Sequence, residues 1–388
     1  MPEAVIVDAI RTPFGKHDGS LSEVHPQDLA AAPLQALEAR NGFNPSEIED
    51  VHLGCVKPVF EQGSNIGRFA PMVAGWGDDV PGFQLDRLCG SGQQAINLAA
   101  ANVRAGFHEV VVAGGVEHMT RVPMTSNRSG STPVNDMSET YFEYFDEMTH
   151  QGESADRIAK KWGFSRQEVD QIAVDSQQRW KRAHDEGRFD SQLIPVETDI
   201  DGETVTVETD EHPRPETDLE TLSKLPLAFR DDGDGVIHPG NSSGIVDGAS
   251  AALVTSERVA AERGWEPMAR IVQTAVVGVD PVLMLTGPIP ATERVLEKAG
   301  MEADDIDLFE VNEAFASVVT AWLEETGIPW EKTNINGGAI AHGHPLGATG
   351  SALITKLAHE LKRTGKDTAL STMCIGHGQA VATIIERV

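Results

Sequence analysis

Four segments in the second part of the chain repeat, in order, four segments in the first. Residues 269–275 answer residues 4–10, 304–311 answer 46–53, 343–357 answer 89–103, and 368–374 answer 110–116. The separation stays near 255–265 residues, about the same each time, too regular for chance and far too long for a solenoid. A duplicated chain is restricted to folds in which two alike halves bury their apolar faces and then pack on each other. Each half reads strand, helix, strand, helix, strand, which predicts a parallel sheet with covering helices.

The local signals agree with this grammar. Residues 4–9 form an apolar strand, and 26–40 a helix with Leu29, Ala32, Ala36 and Leu37 on its apolar face and Gly42 as its stop. Pro33 lies inside that helix and predicts a kink or a later start. Residues 51–56 and 109–115 read as strands, the second apolar throughout, as in a strand buried on both faces. Residues 117–246 have another character, rich in Ser, Thr, Asp, Pro and Met, with helices over 153–161 and 166–186 and an acidic stretch over 199–226. This segment reads as an insertion covering one face of the core, where lids and ligand loops are built. Val169, Ile172, Ala173 and Ser176 fall at buried helical positions, against a merely decorative loop. The division is therefore 1–116 with 247–266 for the N-terminal half, 117–246 for the insertion, and 267–388 for the C-terminal half.

The chain has 388 residues and a formal net charge of −29. That balance argues against a nucleic-acid partner or an anionic membrane surface, both of which select basic patches. The acidic residues are spread along the chain, a pattern expected of a protein kept soluble in concentrated salt, where screening cancels self-repulsion. An ordinary acidic enzyme is the alternative. Three widely spaced cysteines, Cys55, Cys89 and Cys374, make neither a disulfide framework nor a zinc site, and a reducing cytoplasmic setting is expected. The start of the chain has no basic leader and no long apolar run, so neither signal peptide nor membrane span is expected.

The chemistry concentrates in four places. Cys89 stands before Gly90-Ser91-Gly92 and the apolar-periodic run Ala95, Ile96, Ala99, Ala100, Val103, with Gly106 beyond. This predicts a helix with the sulfur at its mouth, where unpaired N–H groups would lower the thiol pKa. The competing reading is an inert core cysteine. Asn312 follows a strand in Val311-Asn312-Glu313-Ala314-Phe315-Ala316 and either orients a water or carbonyl or caps a helix. His342 and His344 sit in Asn336-Gly337-Gly338-Ala339-Ile340-Ala341-His342-Gly343-His344-Pro345-Leu346-Gly347, without metal-ligand spacing and without the lysine of a phosphate loop. Cys374 ends a strand in Met373-Cys374-Ile375-Gly376-His377-Gly378-Gln379. Two thiols, an imidazole and an amide form a coherent set in which one thiol attacks and the other moves a proton.

The blocks Cys89-Gly90-Ser91-Gly92, Asn312-Glu313-Ala314-Phe315, Gly343-His344-Pro345 and Cys374-Ile375-Gly376 resemble the signature blocks of the thiolases. The likeness extends over the whole chain, including Gly240-Asn241-Ser242-Ser243-Gly244 and Gly287-Pro288-Ile289-Pro290-Ala291. The resemblance implies a thiolase-like five-layer αβαβα core of two duplicated halves with an inserted loop domain that holds coenzyme A. It implies an acyltransferase with acetyl-CoA and coenzyme A as substrates, no permanently bound cofactor, no metal, and a homodimer or homotetramer.

Carried over, Cys89 is the acyl-accepting nucleophile, His344 deprotonates it, and Cys374 exchanges the α-proton of acetyl-CoA. Asn312 with a water joins His344 in one oxyanion hole, and the N–H groups of Cys89 and Gly376 form the other. His150, Arg214, Thr221, Phe229 and Ser243 would lie along coenzyme A. The sequence departs from the family where His377 and Ala380 replace glycines, where His342 replaces an apolar residue, and where Gln151 replaces a methionine of the acyl pocket. The extra imidazoles read as packing groups, and Gln151 leaves the acyl preference open. Block 115–124 tilts towards the degradative members. A β-ketoacyl synthase is the rival condensing enzyme, against which Cys374 and the Asn312 block argue. A lipid-binding or scaffold member that has lost catalysis is the rival of another class.

Overall fold

The computed structural model describes residues 2–128, 137–230 and 233–388; the remaining parts of the 117–246 segment lie outside the described residues. The strands are β1 (Ala4–Arg11), β2 (Gly15–Lys16), β3 (Asp50–Gly54), β4 (Phe83–Leu85), β5 (Val110–His118) and the hairpin β6 (Val196–Ile200) and β7 (Glu203–Val207). They continue with β8 (Val246–Ser256), β9 (Ala269–Gly278), β10 (Leu308–Val311), β11 (Thr368–Ile375) and β12 (Gln379–Arg387). The helices begin with α1 (Pro26–Asn41), α2 (Ile66–Val73), α3 (Ser91–Ala105), α4 (Tyr141–Tyr144), α5 (Gln151–Trp162) and α6 (Arg166–Asp185). They end with α7 (Leu219–Ser223), α8 (Glu257–Arg263), α9 (Pro288–Ala299), α10 (Ala316–Thr326), α11 (Ala339–His342) and α12 (Leu346–Thr364).

The duplication is visible in the strand order. One half runs β3-β5-β8-β1 and the other β10-β11-β12-β9, with β4 added outside β3. In each half the first pair is parallel and the next two are antiparallel. The expectation of a wholly parallel sheet is therefore corrected. One strand per half, β8 or β12, returns antiparallel between its neighbours, because each follows its half's last helix–strand unit and closes the sheet from the opposite direction. The two sheets meet where β1 and β9 pair through Val5 with Arg270 and Ile6 with Ala269.

Three apolar clusters fill the four interfaces between five layers, the middle one lining both faces of the central helices. Leu29, Leu34 and Leu37 of α1 pack on the outer face of the first sheet, against Val51, Val110, Val112 and Leu253. Ala95, Ile96, Ala99 and Val103 of α3 meet Ile354, Leu357 and Leu361 of α12 between the sheets, with Ile6, Val111, Val254, Ile271 and Ile385. Val295 of α9 and Trp322 of α10 cover the second sheet at Phe309, Leu370 and Ile384. Each fully buried Leu or Ile contributes about 1.5–3 kcal/mol relative to exposure, so the middle layer is a principal source of cohesion. Every residue of α12 from Gly347 to Leu361 is buried, as suits a helix with sheets on two sides.

Helix ends follow the expected punctuation. Gly42 and Gly106 take left-handed φ values of 64° and 74° and close α1 and α3. Pro33 does not delay α1, which runs unbroken from Pro26 with His25 capping Gln27. The buried face of α1 holds the helix against the loss of one backbone hydrogen bond. In the insertion, Val169, Ile172, Ala173 and Ser176 of α6 are all buried, and the acidic stretch carries the β6–β7 hairpin and α7.

Candidate active site

The middle layer brings the two glycine-rich turns together. A Cβ on Gly92 would lie 2.6 Å from the carbonyl oxygen of Gly347 and 2.8 Å from Ser351 Oγ, so the two helix starts touch through backbone. Ahead of α3, Leu88 sits at φ +48°, a left-handed conformation unusual for a branched side chain. Three bonds hold it there. Asp86 Oδ1 accepts from Leu88 N at 2.7 Å, Ser91 Oγ donates to Leu88 O at 2.6 Å, and Arg87 N donates to Ser91 Oγ at 2.8 Å. This loop sets Cys89 into a pocket of Leu88, Val276, Leu346, Met373, Ile375 and Val381.

Cys89 is 5% exposed, and its sulfur accepts from the N–H of Gly376 and from its own N–H. Burial nevertheless pushes the thiol up to about 11. The expected lowering at the helix mouth is overturned, because the apolar pocket removes more solvation from a thiolate than two N–H groups restore. Cys374 is buried as well, and burial together with the neighbouring Cys89 raises it still further. Both sulfurs are therefore neutral thiols at rest. The inert-cysteine description fits Cys55, which is buried, pushed well up by desolvation, and set behind Glu117.

His344 is 4% exposed and burial pushes it down to about 4, so it is a neutral imidazole. Its tautomer follows from its partner. Thr349 Oγ1 gives its one hydrogen to Pro345 O at 2.9 Å, so it accepts from His344 Nδ1–H at 2.5 Å. The lone pair is thus on Nε2, which faces the Asn312 amide nitrogen at 3.4 Å. Asn312 is not a helix cap, since α10 begins four residues later. Its Oδ1 is buried and without a hydrogen-bond partner among the described residues.

The adjoining Glu313 has a different task. Its carboxylate accepts from Ser176 Oγ at 2.5 Å, Asn334 Nδ2 at 2.9 Å and Ile340 N at 3.2 Å, which ties α6, the Asn334 loop and α11 behind the site. His342 also points elsewhere. It lies edge-on to Phe14 and, fully buried, is held well below the ordinary imidazole range. It neighbours the Arg11–Asp210 pair that fastens the insertion to β1, with bonds of 2.6 and 3.0 Å. It packs in the interior rather than on the surface expected of the extra imidazoles.

Of the residues expected along coenzyme A, three gather at Ala314 and Phe315, which share an apolar cluster with Cys374. The His150 ring stacks on Phe229 at 5.3 Å, and Phe229 lies edge-on to Phe315 at 5.9 Å. Ser243 N donates to Ala314 O at 3.0 Å, and Gly244 O accepts from His344 N at 2.9 Å. Arg214 and Thr221 are exposed farther out and share no bond or ring contact with those three among the described residues.

Two supports escaped the sequence reading. Thr349 fixes the His344 tautomer, and its spacing of five residues in a helix start was a usable signal. Glu117 accepts from Val56 N, Lys57 N, Gln62 Nε2 and Gly347 N at 2.9–3.1 Å, which binds the β3 loop to the start of α12. Among the described residues, Asp50, His52 and His108 are the one group of three whose metal-ligand atoms lie within 4.8 Å of one another. They lie at the opposite end of β3 from Gly54, which abuts Ser91 and Gly92.

The model of the thiolase N-terminal domain matches residues 4–258, and that of the thiolase C-terminal domain matches residues 265–387. The chain belongs to the thiolase family. This thiolase is 43% identical to a steroid 3-ketoacyl-CoA thiolase of Mycobacterium tuberculosis, over all of this chain and 95% of the relative. It is also 43% identical to a 3-oxoadipyl-CoA/3-oxo-5,6-dehydrosuberyl-CoA thiolase of Escherichia coli, with both chains covered in full. An acetyl-CoA acetyltransferase structure from Bacillus anthracis superposes with a TM-score of 0.91 at 37% identity, covering all of this chain and 99% of that one. The fold is the thiolase fold, and the protein is an acyltransferase working on coenzyme A thioesters.

Proposed function

We propose that this thiolase cleaves 3-ketoacyl-CoA with coenzyme A, and runs the reverse condensation, through an acyl group carried on Cys89. The observation that carries this reading is the meeting of two buried neutral thiols, one bonded by Gly376 N–H, beside an unprotonated imidazole nitrogen, His344 Nε2, that meets only the Asn312 amide at 3.4 Å. A Claisen cleavage asks for one sulfur to attack the ketone and another acid to protonate the carbon that leaves. Here His344 Nε2 takes the Cys89 proton as the sulfur adds to the 3-keto carbon. The tetrahedral oxyanion rests on the N–H groups of Cys89 and Gly376. The C2–C3 bond then breaks, its electron pair passes to the acetyl-CoA enolate, and Cys374 donates its proton to C2. His344 and a hydroxyl held by Asn312 Oδ1 face the enolate oxygen. Each such donor contributes about 3–4 kcal/mol to a barrier. Coenzyme A thiol next gives its proton to the Cys374 thiolate and attacks the acyl-enzyme, and Cys89 leaves as a thiolate that regains its proton from His344.

In this reading His150, Phe229 and Ser243 line the pantetheine arm, and Arg214 and Thr221 lie towards the nucleotide end. Residues 117–246 act as the coenzyme A cover, between an N-terminal half of 1–116 with 247–266 and a C-terminal half of 267–388. The short β4 strand ends the sheet with an open edge, which suits pairing with a second copy in a dimer or tetramer. Among the described residues no helix is long and apolar enough to cross a membrane. A reducing cytoplasm rich in salt fits the free cysteines and the net charge of −29.

Trapping tests the proposal. Radiolabelled acetyl-CoA should label Cys89 in the wild type and leave Cys89→Ala unlabelled, while coenzyme A discharges the label. Label on another residue, or failure to cleave any 3-ketoacyl-CoA, would sink it; the second outcome would also favour a synthase.

A further inference from the structure

The sulfur pocket has a corner whose charge runs against the rest of the molecule. Lys57 follows β3, is only 5% exposed, and is anchored by its own N–H on Glu117. Its ammonium donates to Asn127 Oδ1 at 3.0 Å, and among the described residues no carboxylate forms an ion pair with it. Arg128 is the next residue along and likewise has no ion pair among the described residues. Burial holds the pKa of Lys57, His150 and His377 down, and the charge of Arg128, one residue beyond the Asn127 that bonds Lys57, adds to the lowering of each. Two acids face this corner. Glu117 already accepts four N–H bonds, and Asp86 is exposed, with one oxygen on Leu88 N.

A buried ammonium without a carboxylate is costly, and a chain with 60 acidic residues against 31 basic ones had partners to supply. The neighbouring wall is polar too. A Cβ on Gly376 would lie 2.6 Å from Gln151 Nε2, and the exposed His377 is held at φ +63° beside Met284.

Resting on the acyl-transfer reading above, we infer that Lys57 and Arg128 receive the far end of the acyl chain, and that the preferred 3-ketoacyl-CoA carries a terminal carboxylate. The phosphates of coenzyme A do not compete for this corner. They lie a full pantetheine arm from the thioester, whereas Lys57 follows Gly54, which abuts Ser91 and Gly92 next to the sulfur that takes the acyl group. Gln151 would add an amide N–H donor on the same side.

The test compares 3-oxoadipyl-CoA with 3-oxohexanoyl-CoA, equal in chain length and different only in the terminal carboxylate. The wild type should favour the charged substrate in kcat/KM by about tenfold or more, equivalent to about 1.4 kcal/mol. Arg128→Gln and Lys57→Gln should bring that ratio towards unity, and Arg128→Lys should keep it. Arg128 is partly exposed, so its variants read the effect even if the buried Lys57 variant fails to fold. Binding of both compounds to Cys89→Ala gives the same ratio without turnover. A binding preference with no cleavage would sink the acyl-transfer reading and leave this one standing. Equal handling of the two substrates by the wild type would overturn the inference. So would an Arg128→Gln variant whose KM rises equally for free coenzyme A and for both substrates.

Discussion

The two halves of this thiolase share a strand order and a central helix, yet they spend the same positions differently. The turn before α3 carries Cys89, and the turn before α12 carries His344. At the end of β11 stands Cys374, and at the matching end of β5 stands Val116, followed by Glu117. After β10 comes Asn312, and after β3 comes Cys55. In the proposed mechanism the C-terminal half thus supplies two proton-handling groups, His344 and Cys374, and the Asn312 amide at a third strand end. The N-terminal half supplies one sulfur and a carboxylate that clamps backbone. Duplication gives two equivalent sets of sites, and burial in the middle layer lets one set become chemical while the other holds the first in register.

Exchanging matched positions is the strongest way to break this contrast. Cys374→Ala should lower kcat for thiolysis by about 10²–10⁴, the usual worth of a positioned acid or base, and Cys89→Ala should remove turnover. Val116→Ala, at the counterpart of Cys374, should change kcat only slightly while costing about 1–3 kcal/mol of stability. Equal activity losses at the two positions would erase the division of labour. Glu117→Ala leaves four buried donors without their acceptor and should destabilise by at least about 3 kcal/mol in urea unfolding.

His344 sharpens the comparison through pH. Its folded pKa of about 4 lies below the ordinary 6.5, so the unfolded chain binds the extra proton between those values. Its contribution to stability is therefore complete above pH 6.5 and is lost as pH falls towards 4, by on the order of 3 kcal/mol. His344→Asn should flatten that part of the unfolding profile; an unchanged slope would refute the buried neutral imidazole. Thr349→Val removes the acceptor of Nδ1–H and should cost about 1 kcal/mol of stability with a smaller fall in kcat than His344→Asn. The smallest effect concerns both halves alike. The melting temperature should rise between low and molar KCl, as screening relieves the charge of −29.

The sequence exposed what depends on order and spacing. The repeat, the Gly42 and Gly106 stops, the buried positions of α6, and the four blocks of the site are all properties of neighbours along the chain. The sign of the Cys89 shift was not legible, because it depends on Val276, Leu346, Met373 and Val381, which the fold brings from elsewhere. The antiparallel β8 and β12 were hidden for a related reason, since a buried strand has the same apolar pattern in either direction. Pro33 misled because tertiary packing outweighs a local propensity. Thr349 and Glu117 look like ordinary polar residues until their partners are placed.

The neutral state of Cys89 has a consequence for survival as well as for catalysis. Peroxides and disulfides react with thiolates, so a sulfur that holds its proton in an apolar pocket is a poor target between turnovers. In the proposed mechanism its nucleophilicity appears only when His344 takes that proton, and the buried Cys374 is shielded in the same way. The enzyme between turnovers is thereby guarded against oxidants by burial of its thiols.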